Sequence, residues 1–203
     1  MRLRSLAVGV LGLGAWAVGS PGLAGAQEAE GLPTFEVVPL DSAIKFSVKA
    51  SVALQGTFEK WDAKLTFASA DVTTANLTIR IQAGSVNTGS GMKDKKLRSK
   101  DFFAVEDNPE ITFVSKKVLQ TGPTTFEVDG DFTIRGVTKD EKLELSVAGK
   151  GTGNGLVHGT MAFDRKDYGM DKGIPFIKIA DRVEVTVNLR AKQVSGPRLV
   201  YKE

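Results

Sequence analysis

The chain has 203 residues, 27 Lys plus Arg against 24 Asp plus Glu, one His and no Cys. That length suffices for a single domain with a real core. The composition excludes disulfides, cysteine-held metals, thiol chemistry and a lipid-modified N-terminal cysteine, and the modest charge excess gives no general reason to expect a nucleic-acid or acidic-membrane partner.

The N-terminus reads as a secretory signal. "MRLR" is a short basic segment, Leu6 to Val18 is an apolar run, and Ala24-Gly25-Ala26 supplies the small residues of a cleavage site, placed after Ala26. Ser20-Pro21-Gly22 interrupts the run before it reaches the roughly 20 apolar residues of a membrane span, so no span is expected in the mature protein. Removing residues 1–26 takes away Arg2 and Arg4 and lowers the formal net charge from +3 to +1. A periplasmic or secreted location follows as an expectation. Residues 27–36 read as a polar linker, 37–193 as the domain and 194–203 as a C-terminal tail.

From there the apolar period is 2, which predicts strands. "AIKFSVKASV" sets Ile44, Phe46, Val48, Ala50 and Val52 on one face. "GTFEKWDAKLTF" aligns Trp61, Ala63, Leu65 and Phe67, while Phe58 has the other parity and predicts a bulge or bend between 58 and 61. Further strands align Leu77, Ile79, Ile81 and Ala83; Ile111 and Phe113; Phe126, Val128, Phe132 and Ile134; Leu143, Leu145 and Val147; Val157, Met161 and Phe163; and Val183 through Ala191. About eight strands with one apolar face each describe an antiparallel sheet, closed as a barrel or folded as a sandwich. The inward faces also carry Ala50, Ala63, Ala83, Gly130, Gly159 and Ala191, which either fit a taper or leave a slot for a ligand.

One segment lacks this period. Between Lys93 and Asp101 seven of nine residues are charged, and Phe102-Phe103 follow. From Lys93 to Glu110 five basic residues balance five acidic ones, and the phenylalanines come after the cations, so a phosphate-tracking surface is not indicated. The segment reads as a short helical cover, near residues 92–104, turning Leu97, Phe102 and Phe103 toward the strands, with Asn108-Pro109 stopping it.

Catalytic and metal motifs are absent. His158 lies on the polar side of its strand, no G-x-S-x-G elbow exists, and a lone His is a poor start for a zinc site. "GKGTGNG" (149–155) has Glu144 where a phosphate loop needs its first Gly, so it reads as a hairpin turn. "DGD" (129–131) lacks the remaining ligands of a calcium loop. An outer-membrane barrel would need aromatic girdles, for which two Trp and two Tyr are few. Neither a catalytic residue nor a metal site is assigned, and no cofactor or nucleic-acid partner is expected.

"MKDKKLRSKDFFAVEDNPEITFVSKKV", "VDGDFTIRGVTKDEKLEL" and "FDRKDYGM" together resemble the YceI-like family over about residues 37–193. The matching positions are Asp94, Leu97, Arg98, Ser99, Asp101, Phe102 and Phe103, and then Arg165, Asp167, Tyr168 and Gly169. The resemblance implies an all-β, eight-stranded antiparallel lipocalin-like barrel, without catalysis, that binds a long isoprenoid such as a quinone or polyprenyl lipid. Two histidines common in the family are replaced here, at Asp41-Ser42 and within Asp94-Lys95-Lys96-Leu97. Strand parity then places Phe46, Trp61, Phe67, Leu77, Ile79, Phe113, Phe126, Leu145, Met161 and Phe163 along the lining, and the helical cover adds Phe102. Lys93, Arg98 and Arg165 are headgroup candidates, with structural pairing to Asp94, Asp101 or Asp167 as the alternative for the two arginines. A filled barrel acting as a stress or interaction protein is the competing reading, and the question of a homodimer stays open.

Overall fold

The structure, a computed structural model, describes residues 31–52, 54–173 and 176–203; the signal expectation falls outside them. In chain order the elements are β1 (Thr34–Ala50), β2 (Leu54–Phe58), β3 (Trp61–Phe67), β4 (Ala75–Gln82), β5 (Val86–Asn87), α1 (Gly91–Arg98), β6 (Glu110–Gln120), β7 (Thr125–Ile134), β8 (Val137–Ala148), β9 (Asn154–Asp164) and β10 (Ile179–Ser195). Neighbouring strands run antiparallel in the order β10-β9-β8-β7-β6-β4-β3-β1, and β1 pairs back onto β10 to close a barrel. Closure pairs the two outermost strands of the sheet with each other, which a chain without disulfides uses in place of covalent staples.

The short strands β2 and β5 continue β3 and β4 past matched bends. The backbone of Glu59-Lys60 meets that of Gln82 and Ser85, with Glu59 N donating to Ser85 O at 3.1 Å and Gln82 N to Lys60 O at 2.9 Å. These bends absorb the parity change between Phe58 and Trp61, so both flanking segments keep their apolar side inward. Counting each bent pair as one strand gives the eight-stranded, all-β barrel.

Two boundaries differ from expectation. β1 begins at Thr34, inside the segment read as linker, because a bulge re-phases it: its register with β10 slips between Val38 and Ala43. Ser42 holds the bulge, donating through Oγ to Val38 O at 2.7 Å and accepting from Arg190 N at 2.9 Å. Phe35 and Val37 thus face the same interior as Ile44 and Phe46, despite opposite parity, while Leu40 at the tip is thrown outward, 97% exposed. At the other end of β1, Val52 is exposed rather than lining. The helix is also shorter than the charged segment, ending at Arg98, and the chain continues to Ala104 in hydrogen-bonded turns.

The strands diverge in two places. β8 and β9 pair only through Glu144–Ala148, so the Val137–Leu143 half of β8 parts from the Met161–Asp164 end of β9. β4 and β6 pair only between Thr78–Gln82 and Glu110–Val114. Beyond that stretch the buried Ser115 hydroxyl accepts from Leu77 N at 2.8 Å. A short 3-10 turn lies at each divergence, Arg165–Tyr168 at the first and Val72–Thr74 at the second.

The small inward residues at Gly130 and Gly159 are filled by their neighbours. A Cβ at Gly130 would lie 2.6 Å from Phe113 Cζ and 2.7 Å from Val114 O, and one at Gly159 would lie 2.7 Å from Leu145 Cδ2. Large apolar side chains lean across these glycines, so here the small residues serve packing. Gly130→Ala is expected to destabilise the fold by about 1–3 kcal/mol, because the carbonyl of Val114 cannot yield as a side chain would. Thermal denaturation beside Gly84→Ala, whose Cβ meets nothing within 4 Å, checks this.

Candidate functional site

The barrel interior is an apolar column that widens at both ends. The larger cavity, about 110 Å³, is walled by Phe35, Val37, Leu65, Phe67, Leu77, Phe126 and Leu145 together with residues of the C-terminal segment. The smaller, about 60 Å³, is walled by Phe46, Phe58, Phe102, Phe103, Phe132 and Phe163. Between them lies a waist. Along β4, Leu77 faces the larger cavity and Ile81 the smaller, with Ile79 between. Phe113 on β6, Leu143 on β8 and Met161 on β9 occupy the corresponding positions, and all four side chains are buried. Phe113 is seated there by Gly130, as described above.

The expected lining residues therefore fall into three groups. Phe67, Leu77, Phe126 and Leu145 line the larger cavity; Phe46, Phe102 and Phe163 line the smaller; Ile79, Phe113 and Met161 form the waist. Trp61 packs half-buried against the core beside the bend and borders neither cavity. Sequence reasoning missed Phe35 and Val37, hidden by the β1 bulge, and Val72, Leu199 and Tyr201, which lie outside the long strands. The alternation of Leu199 and Tyr201 was the available signal for the last two.

The smaller cavity is sealed by the charged segment. Leu97, Phe102 and Phe103 are buried, with the Phe103 ring 5.9 Å from Phe58 and 6.5 Å from Phe46. Asp94 is buried and accepts from Thr88 N at 2.8 Å and Thr88 Oγ1 at 2.7 Å, tying the helix to the strand before it. Arg98 donates to Gly84 O at 2.8 Å and Val86 O at 2.9 Å, capping backbone carbonyls that the bend leaves unpaired. Lys96 meets Asp101 at 2.6 Å and its hydrogen bond holds that carboxyl below the usual range. Arg135 ties the cover to the next loop, donating to Phe102 O and, at 2.8 Å, to Gly169 O.

Arg165 borders the smaller cavity and is 6% exposed. Its guanidinium donates to Ala180 O, Met170 O, Lys172 O and the Asp181 carboxylate, so it holds the loop before β10. Lys93 lies half-buried on α1 and, like Arg98, borders neither cavity. The partners of the two arginines are thus mostly backbone carbonyls. Neither Asp94 nor Asp101 pairs with Arg98, and Asp167 pairs with Lys139 at 3.4 Å.

Tyr168 plugs the β8–β9 divergence. It is 0% exposed, its hydroxyl donates to Glu141 Oε1 at 2.8 Å, and its ring meets Phe132 and Phe163 at 5.5 and 5.2 Å. Burial, with Glu141 adding to it, pushes the phenol well above its ordinary range, so it stays protonated and donating. His158 lies exposed on the outer face, its Nδ1 2.8 Å from Asn188 Oδ1. Among the described residues no group of three His, Cys, Asp or Glu side chains is placed to hold a metal, and no helix is long and apolar enough to cross a membrane.

Replacing Tyr168 with Ala is expected to cost about 3–5 kcal/mol, the loss of a buried aromatic with the cavity it leaves. Tyr168→Phe is expected to cost only about 1 kcal/mol, the hydroxyl's hydrogen bond to a half-exposed carboxylate. Urea denaturation of the two variants reads the difference.

Comparison with known proteins agrees with this architecture. The YceI-like domain profile matches residues 35–191. A UPF0312 protein of Pseudomonas savastanoi pv. phaseolicola is 32% identical over 122 residues, which are 58% of this chain and 64% of that one, so the match spans less than two thirds of the relative's length. BcnA of Burkholderia cenocepacia shares the fold with a TM-score of 0.69 at 24% identity, over 76% of this chain and 99% of that one. A polyisoprenoid binding domain from Saccharophagus degradans, implicated in plant cell wall breakdown, shares it with a TM-score of 0.61 at 14% identity, over 79% and 99% of the two chains. The chain belongs to the YceI-like domain family.

Proposed function

We propose that this protein binds and carries a long isoprenoid lipid, of the quinone or polyprenyl class, inside its barrel, and that it does so in the periplasm or outside the cell, without catalysing a reaction. The observation that carries this reading is the interior itself: two apolar cavities on one axis, separated only by side chains of a single layer. Each square ångström of apolar ligand surface moved from water into such a column gains roughly 25 cal/mol, so a chain of repeated isoprene units is the ligand class that uses the whole length. The function named for the Saccharophagus neighbour supports the same class. The column brings no His, Cys or paired carboxylate to its walls, which suits holding a ligand rather than converting one.

The cavity volumes favour a second reading. About 110 and 60 Å³ are both below the roughly 300–1,000 Å³ of ordinary ligand pockets, as expected for a filled barrel that acts through its surface. On the lipid reading the waist must yield, and Met161 is suited to that because its unbranched side chain has three rotatable bonds. Phe113→Ala is expected to join the cavities. It should cost about 3–5 kcal/mol of stability while raising uptake of long-chain polyprenols, measured by denaturation and by lipid titration of the same variant.

The direct test is organic extraction and mass spectrometry of the purified protein, with native mass of the intact complex. A stoichiometric isoprenoid, bound on purification or after adding quinone or polyprenol, is expected. A folded barrel that carries none and takes up none would establish the filled-barrel reading instead.

A further inference from the structure

The two ends of the column differ in polarity. At the smaller cavity every wall residue except Arg165 is apolar, and that guanidinium is consumed by three carbonyls and Asp181. At the larger cavity the rim includes Asn154, Gln193, Arg198 and Tyr201, beside Gly149, Gly151 and Gly153. Apart from Gln193 near the end of β10, this rim is made of the glycine-rich hairpin, up to the start of β9, and the C-terminal segment.

The C-terminal segment crosses the β4–β6 divergence as a strap. Val200 N donates to Ala70 O at 2.8 Å and Val200 O accepts from Val72 N at 3.0 Å. The Gln120 side chain clamps Lys202 from both sides, Nε2 to Lys202 O and Lys202 N to Oε1, each at 2.8 Å. Gln193 holds the root, donating to Gly196 O at 3.0 Å and Pro197 O at 2.7 Å. With the backbone fixed, Leu199 and Tyr201 turn into the cavity, the Tyr201 ring 6.1 Å from Phe126. Lys150, on the hairpin, stands over the Tyr201 ring at 4.8 Å from its centroid. Arg198 is exposed and makes no hydrogen bond or ion pair among the described residues, and neither the side-chain amide of Asn154 nor the Tyr201 hydroxyl has a hydrogen-bond partner among them. The nearby carboxylate of Asp71 is occupied by Thr73, accepting from its N at 2.8 Å and its Oγ1 at 2.7 Å.

A lipid with one polar end needs a cavity with one polar end. We propose that the head of the bound lipid sits at this rim, between the Gly149–Gly155 hairpin and the Pro197–Tyr201 strap, with Arg198 and Lys150 as its cationic partners, and that the head is an acidic one of the phosphate class. This rests on the isoprenoid-binding reading above. It assigns a ligand contact to residues 198–201, which lie beyond the stretch that matches the family, and it moves the head to the end of the barrel opposite the sequence-expected Lys93, Arg98 and Arg165. A guanidinium free of protein partners can meet phosphate oxygens in the bidentate geometry that one engaged by carbonyls cannot.

The experiment titrates the protein with a polyprenyl monophosphate and with the polyprenol of the same chain length, by calorimetry in matched buffer, and compares it with Arg198→Ala/Lys150→Ala and with Arg98→Ala. The phosphate is expected to bind the unaltered protein more tightly than the alcohol. The double variant should lose about tenfold or more in phosphate affinity with alcohol affinity unchanged, the effect of removing charged hydrogen bonds. Arg98→Ala should lower the melting temperature and leave the phosphate-to-alcohol ratio as it was. Equal affinity for the two lipids, or a ratio that the double variant does not change, overturns the head assignment while the isoprenoid reading stands. Binding of neither lipid by the unaltered protein overturns the isoprenoid reading itself.

Discussion

The seam between β1 and β10 joins two 17-residue strands in antiparallel register from Thr34 opposite Ser195 to Ala50 opposite Ile179. Closing the sheet there commits every second side chain of eight strands to one narrow column, and the rest of the molecule accommodates that commitment. Glycines at 130 and 159 exist because Phe113 and Leu145 have nowhere else to lie. The β1 bulge re-phases the strand where its apolar residues change parity, so that Phe35 and Val37 before it and Ile44 and Phe46 after it all stay on the column. The non-strand segments, α1 with its turns, the Tyr168 turn and the C-terminal strap, close what the strands leave open.

The strands were legible because alternation is a local signal: every second residue of β7 from Phe126 to Ile134 is buried, as its sequence reads. The bend after Phe58 was legible for the same reason, as a break in parity. Phe35 and Val37 were not, since a bulge inverts the rule that would find them and polar residues surround them. The partners of the cations were hidden for a different reason. Arg98 and Arg165 stand in the most recognisable stretches of the sequence, yet apart from Asp181 their partners are carbonyl oxygens, those of Gly84, Val86, Met170, Lys172 and Ala180, which no sequence pattern displays. Conversely, "GKGTGNG" is a hairpin turn, as its composition says, and only the fold reveals that it borders a cavity.

The charged stretch that interrupts the alternation is a cover whose polar side is organised for attachment rather than for recognition. Asp94, Arg98 and Lys96 each bind a neighbouring part of the same segment or the bend beside it, and the apolar residues Leu97, Phe102 and Phe103 do the sealing. One end of the column is thereby apolar and closed by aromatic packing. The other is bordered by backbone-fixed segments with unpartnered polar tips, and that asymmetry gives the interior a direction.

The two strand divergences have a mechanical consequence. They lie between different strand pairs, and each is spanned by side chains and a short turn rather than by a hydrogen-bonded ladder. The β1–β10 seam and the β9–β10 ladder take no part in either. Opening the wall at either slit breaks no inter-strand ladder and leaves the β1–β10 and β9–β10 pairings intact. The cost of opening either slit is therefore that of displacing its local plug, such as Tyr168, and not that of breaking the closed sheet.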